Sequence, residues 1–137
     1  MLKILITGDR NYTDLECIKS TFAKITPNLE ISESTAIHGD CKGADKLAGY
    51  QAEILGFKIQ KYPANWKLGK GAGPIRNAEM LKLDPDIVLI FHQNLKESKG
   101  TKNCCIQLLK KLTKEYNPII MLNGDLIGVE NLQKLVM

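Results

Sequence analysis

Residues 35–45 read Thr35-Ala36-Ile37-His38-Gly39-Asp40-Cys41-Lys42-Gly43-Ala44-Asp45. A short β-branched and apolar run gives way, through two glycines, to a segment with apolar residues at Leu47, Ala48, Ile54 and Leu55. The spacing changes from a strand period to a helix period across that turn, which predicts a strand over 35–38 and a helix over 44–55. Gly56 stands where such a helix stops. A strand feeding a helix through a tight glycine turn is half of a βαβ unit, and it sets the fold class if it repeats.

It does repeat. Leu2–Thr7 reads as a buried strand, and Leu15, Ile18, Phe22 and Ile25 mark a helix after it. Residues 57–62 alternate Phe57, Ile59 and Lys61 with Lys58, Gln60 and Tyr62, the polar pattern of an edge strand. A long loop with three glycines follows over 63–73, and loops of that length are commonly functional. Pro74 suits the first turn of a helix running to about Leu83. Asp86-Ile-Val-Leu-Ile-Phe91 is the most apolar run and is expected at the centre. A helix over 101–113 and a strand over 118–122 complete the pattern, leaving 123–137 as a peripheral tail with one short helix. The expectation is an α/β domain over 1–137, with a mainly parallel five-stranded sheet, doubly wound, and helices on both faces.

Composition narrows the class. The chain has 137 residues, 44% hydrophobic and 25% charged, which is ordinary for a globular domain. Its longest apolar run is far too short to span a bilayer. Met1-Leu-Lys-Ile-Leu-Ile-Thr7 enters a strand directly, without the apolar stretch and cleavage site of a signal peptide, so a cytosolic location and no membrane partner are expected. The net charge of +4 is mild and the lysines are dispersed, which argues against a nucleic-acid partner. Cys17, Cys41, Cys104 and Cys105 form no CxxC pair, and His38 and His92 are the two histidines, so no metal site is expected.

Four segments carry chemistry, each expected after a strand: Gly8–Asp14, His38–Asp45, Pro63–Met80 and Glu97–Asn103. In an open α/β sheet such turns gather at the carboxyl ends of the strands, where ligands bind. Gly8-Asp9-Arg10 serves equally as a plain turn. Arg10 is placed either to grip a phosphate or to pair with Asp9 and Asp14. The turn with Gly39, Asp40, Gly43 and Ala44 is neither a Walker loop nor GxGxxG. Asp45 either complements the helix dipole or accepts from ribose hydroxyls. Arg76 and Asn77 lie on a helix after the glycine loop that holds Gly73. Ser98 and Thr101 are ordinary N-caps or, with Gly100, a phosphate cradle at a helix N-terminus. Trp66 either stacks on a base or anchors the core or the loop. Together the four segments point to a phosphorylated, nucleotide-like ligand, with no cofactor implied and self-association left open.

The ordered set resembles the SLOG superfamily, the SMF/DprA–LOG group of Rossmann-like domains, and within it the YspA/cpYpsA-related branch. The residues that carry the likeness are Gly8 and Arg10, then His38-Gly39 with Gly43-Ala44-Asp45, then Trp66, Ala72-Gly73-Pro74, Arg76-Asn77 and Met80. The resemblance implies a Rossmann-like fold over about residues 1–122 that binds nucleotides or their derivatives. Its Lonely Guy enzymes are phosphoribohydrolases with an R-K-x-x-M helix and a PGGxGTxxE loop. Here Arg76-Asn77-Ala78-Glu79-Met80 replaces the lysine by Asn77, and Ser98-Lys99-Gly100-Thr101 keeps the GT end. The leading glycines fall on Glu97 and Ser98, and the glutamate falls on Cys104. A thiol does not replace a carboxylate beside an oxocarbenium-like centre.

Three readings follow. The first is a binding domain for a nucleotide or nucleotide-derived ligand, held by Gly39, Gly43 and Asp45 on one side and by Gly100, Thr101 and Arg76 on the other. The second is a nucleoside 5′-monophosphate phosphoribohydrolase, with Asp9, Asp40, Asp45 or Glu79 supplying the missing carboxylate. The third is a single-stranded DNA binder like the DprA relatives, against which the sparse aromatics count.

Overall fold

A computed structural model describes residues 1–137. Strands β1 (Lys3–Gly8), β2 (Thr35–His38), β3 (Lys58–Lys61), β4 (Ile87–Phe91), β5 (Ile119–Leu122) and β6 (Asp125–Leu126) form one sheet in the order β3-β2-β1-β4-β5-β6. Helices α1 (Leu15–Ile25), α2 (Ala44–Leu55), α3 (Ala72–Leu81), α4 (Gly100–Lys111) and α5 (Val129–Val136) cover it. All pairings are parallel except β5 with β6. No helix is long and apolar enough to cross a membrane.

Strand alternation builds the two layers. Ile4 and Ile6 of β1 join Phe22 of α1 and Ala48 of α2 on one face. Leu5 joins Met80 and Leu81 of α3 and Leu108 of α4 on the other. All five residues of β4 are buried, as the run 87–91 requires when both faces are covered. Edge strand β3 exposes Lys58, Gln60 and Lys61 and buries nothing fully.

Two expectations need correction at the C-terminal end. The sheet has six strands, not five. Asn123 (φ 49°) and Gly124 (φ 87°) form a two-residue turn that folds Asp125–Leu126 back antiparallel on β5. Positive φ at both central positions is what Asn-Gly supplies in a tight hairpin. Segment 123–137 is also more than peripheral, because α5 packs on α4 and buries Leu132 and Val136.

The chain runs outward from β1 through β2 to β3, then returns to place β4 beside β1. That reversal puts a topological switch point between the carboxyl ends of β1 and β4. Asp9 N–H donates to Phe91 O at 2.9 Å, so the two ends stay paired just below the turns that follow. The crevice above them is the expected place for a site.

Candidate functional site

A cleft of about 530 Å³ opens at the switch point, walled by the turns after β1 and β4, the start of α4 and one side of α3. It brings together Gly8, Asp9, Arg10, Asp45, Trp66, Gly73, Arg76, Asn77, Ser98, Gly100 and Thr101 from the sequence set. Gly39 and Asp40 line a smaller neighbouring cavity instead. Gly43 and Ala44 line neither. Thr7, Asn11, Cys41, Met80, His92, Glu97 and Lys99 also reach the cleft and were missed as site residues. Cys41, Glu97 and Lys99 lie inside turns quoted for their glycines, and His92 directly follows the central strand.

The turn between β2 and α2 is filled by the protein itself. A Cβ at Gly43, whose φ is +79°, would lie 2.3 Å from Arg10 O and 2.4 Å from Asp9 O. A Cβ at Gly8 would lie 2.3 Å from Phe91 O and 2.5 Å from the Ala44 Cβ. Real side chains do not approach backbone so closely, so these glycines let two loops and a helix end interlock. Ala44 N–H, first in α2, donates to Asp9 O at 3.0 Å. Asp45 Oδ2 accepts from Gly39 N–H at 3.1 Å and Cys41 N–H at 3.3 Å. His38, also buried, accepts Asp40 N–H at Nδ1. Burial lowers its pKa and favours the neutral ring that this bond needs.

Burial also raises the Asp45 carboxyl to about 6, against the opposing pull of the Cys41 amide, the Arg76 guanidinium and the Gly39 amide. Asp45 therefore acts as a brace for the loop. Its Oδ1 accepts no hydrogen bond from the protein, and Asp45 is among the cleft residues.

Arg76 and Asn77 are braces as well. Arg76 Nη1 donates to Gly39 O at 2.9 Å and reaches Tyr62 O at 3.4 Å, tying α3 to the ends of β2 and β3. Nε donates to Asn77 Oδ1 at 3.1 Å. Nη2 meets nothing firmer than the Cys41 sulfur at 3.9 Å, so one edge of the guanidinium stays available to an anion. Asn77 Nδ2 donates to Gly100 O at 3.3 Å and Asn103 Oδ1 at 3.2 Å, which fixes the start of α4 against α3.

The start of α4 is different. Lys102 N–H is capped by Ser98 Oγ at 3.1 Å and Asn103 N–H donates to Lys99 O at 3.0 Å. The N–H groups of Gly100 and Thr101 find no acceptor in the protein. A Cβ on Gly100 would meet nothing within 4 Å. Two unbonded amides at a helix N-terminus, beside open space, form a place for an anion.

The remaining walls are set by β1, β4 and the 63–73 segment. His92 Nδ1 accepts from Asn94 N–H at 3.0 Å, leaving Nε2 to carry the hydrogen in the neutral ring. Asn123 holds the His92 backbone through two bonds of 2.9 Å. The stretch expected as open loop contains a 3₁₀ turn, Trp66–Gly71, capped by Asn65 Oδ1 accepting from Lys67 N–H at 3.3 Å. Trp66 is 54% exposed and so is no core residue. The Arg10 guanidinium lies over its ring at 5.1 Å from the centroid. Cys104 packs under the cleft floor near Thr7, and burial pushes its thiol up to about 12. It lines no part of the cleft and carries no thiolate near neutral pH.

The family model of the YspA, cpYpsA-related SLOG family matches residues 2–69, from β1 through Trp66. The Gene 61 protein of Mycobacterium phage D29 is 32% identical over 114 residues, covering 76% of this chain and 86% of its own. No solved structure matches the chain.

Proposed function

The chain belongs to the YspA, cpYpsA-related SLOG family, and on that premise we propose that its cleft binds a nucleotide or nucleotide-derived phosphorylated ligand. The observation that carries this reading is the pair of unbonded amides at Gly100 and Thr101, opening on space that no protein atom fills. A phosphate there would take two N–H bonds and the positive end of a 12-residue helix. The free edge of Arg76 and Lys99 supply charge, and Asp45 Oδ1 supplies an acceptor for a sugar hydroxyl. Trp66 offers a ring face for a base, in competition with Arg10.

The reading is binding rather than glycosidic hydrolysis. Such hydrolysis wants a carboxylate beside the sugar, and the position that carries glutamate in the Lonely Guy enzymes is here the buried Cys104. Asp9 and Asp45 do line the cleft, so release of free base from a nucleotide is the result that would favour hydrolysis over binding. The reading also includes a cytosolic location, where Cys17, Cys41, Cys104 and Cys105 remain free thiols. A thermal-shift screen against nucleoside monophosphates, diphosphates and dinucleotides tests it. A ligand at a hundredfold its Kd stabilises the fold by about 2.7 kcal/mol. No shift across the panel would refute the reading.

A further inference from the structure

The main cleft continues past Trp66 into a side cavity of about 260 Å³, walled by Gly39, Asp40, Lys42, Pro63 and Ala64. Arg10, Cys41 and Trp66 line both spaces. Of the two roles open to Arg10 in the sequence, pairing with Asp9 or Asp14 does not occur. The ion pairs of the molecule are Lys24–Asp125, Lys46–Asp40 and Lys111–Asp84. The carboxylate of the side cavity, Asp40, is thus taken by Lys46, while Arg10 and Lys42 have no counter-ion. Arg10 lies over the Trp66 ring, and its guanidinium N–H groups donate to no acceptor in the protein.

One unpaired lysine on a surface signifies little, because water solvates it fully. Two unpaired cations converging on a concavity that opens into a candidate phosphate site mean more. Arg10 follows β1 and Lys42 follows β2, whereas the amides of Gly100 and Thr101 follow β4, which neighbours β1. Arg10 lines both the cleft that holds these amides and the side cavity, so the two positive regions adjoin. Two adjoining but distinct concavities suit two phosphates carried at different positions of one ribose better than two adjacent phosphates of a diphosphate.

Resting on the proposed nucleotide site, we propose that the ligand is a nucleotide with two separated phosphates. One sits on the α4 amides, and the second lies across Trp66 between Arg10 and Lys42. Asp40, paired with Lys46, keeps the side cavity from accepting anions at every point and so favours one of fixed position.

The test compares AMP, ADP and adenosine 3′,5′-bisphosphate by titration, read out through Trp66, the single tryptophan. The 3′,5′-bisphosphate is expected to bind about tenfold or more tighter than AMP, the gain of one charge-assisted contact. ADP, with equal phosphate count but the wrong spacing, gains less. Lys42→Ala, checked for an unchanged melting temperature, removes the advantage of the bisphosphate and leaves AMP affinity as it was. Calorimetry repeats the measurement without relying on Trp66. If AMP binds but the bisphosphate is no tighter, or its advantage survives Lys42→Ala, the two-phosphate proposal falls and the nucleotide site stands. If none of the three binds, the two-phosphate proposal falls, and the thermal-shift panel decides the nucleotide site.

Discussion

The turns before α2 and α4 carry the same outward signature, a glycine beside a helix N-terminus at the carboxyl end of a parallel strand, yet they do opposite things. Before α2, four amides are used internally, Gly39 and Cys41 on Asp45, Asp40 on His38 and Ala44 on Asp9, while those of Lys42, Gly43 and Asp45 find no acceptor. The space beside Gly43 is occupied by the backbone of Arg10. Before α4, the amides of Gly100 and Thr101 are unbonded and the space beside Gly100 is empty. Glycine in the first turn serves the fold, and in the second it keeps room for a ligand. Gly43, in the segment that reads most like a binding motif, is thus part of the scaffold, and the plainer turn at Gly100 is the opening.

The largest expected effect tests the first half of that contrast. Gly43→Val combines a strained positive φ with a Cβ 2.3 Å from a carbonyl oxygen. Strain and overpacking together are expected to cost about 3 kcal/mol or more in urea unfolding. The sequence alone suggests greater damage to ligand binding than to stability, and the geometry reverses that order. A Gly43→Val protein as stable as the parent would show that this turn is not the scaffold.

Arg76→Ala comes next. It removes the bond to Gly39 O and leaves that carbonyl short of a partner. A loss of roughly 1.5–3 kcal/mol is expected for a charge-assisted bond, together with weaker anion binding. Stability unchanged with affinity reduced would place Arg76 wholly on the ligand side of the comparison.

Asp45 gives a smaller, pH-dependent effect. Its folded pKa, about 6, lies above that of an ordinary exposed carboxyl. The native state therefore holds the proton more tightly than the unfolded chain. The contribution of this group to stability is fully present below the unfolded pKa and is lost as pH rises through about 6. Asp45→Asn, which keeps an acceptor for the amides, should lose this slope. In melting curves of both proteins between about pH 4 and 7, the parent should fall relative to the variant as pH rises. Parallel curves would mean that Asp45 is solvated and not the buried brace described.

Much of the fold was legible because buried parallel strands are continuous apolar runs, as in Ile87–Phe91, and because each helix announces its period. The sixth strand was not, since Asp125–Leu126 is too short to show a pattern. Its signal was the Asn123-Gly124 pair, whose positive φ angles make a hairpin of what otherwise reads as a turn-rich tail. Four turns meeting at the strand ends could be read from spacing. What each glycine does could not, because that depends on which distant atoms approach it: Arg10 for Gly43, Phe91 and Ala44 for Gly8, none for Gly100. The Arg10–Trp66 stack joins residues 56 positions apart on loops of different strands, and no local pattern marks it.

The most direct measurement is AMP affinity in Gly100→Val, followed by the fluorescence of Trp66 and checked by calorimetry. An added Cβ meets no atom of another element within 4 Å, so stability should shift by no more than about 0.5–1 kcal/mol. The same side chain fills the space in front of the α4 amides, so affinity should fall by about tenfold or more. A well-folded Gly100→Val protein that binds AMP as tightly as the parent would contradict the account, because the phosphate would then lie somewhere other than the start of α4.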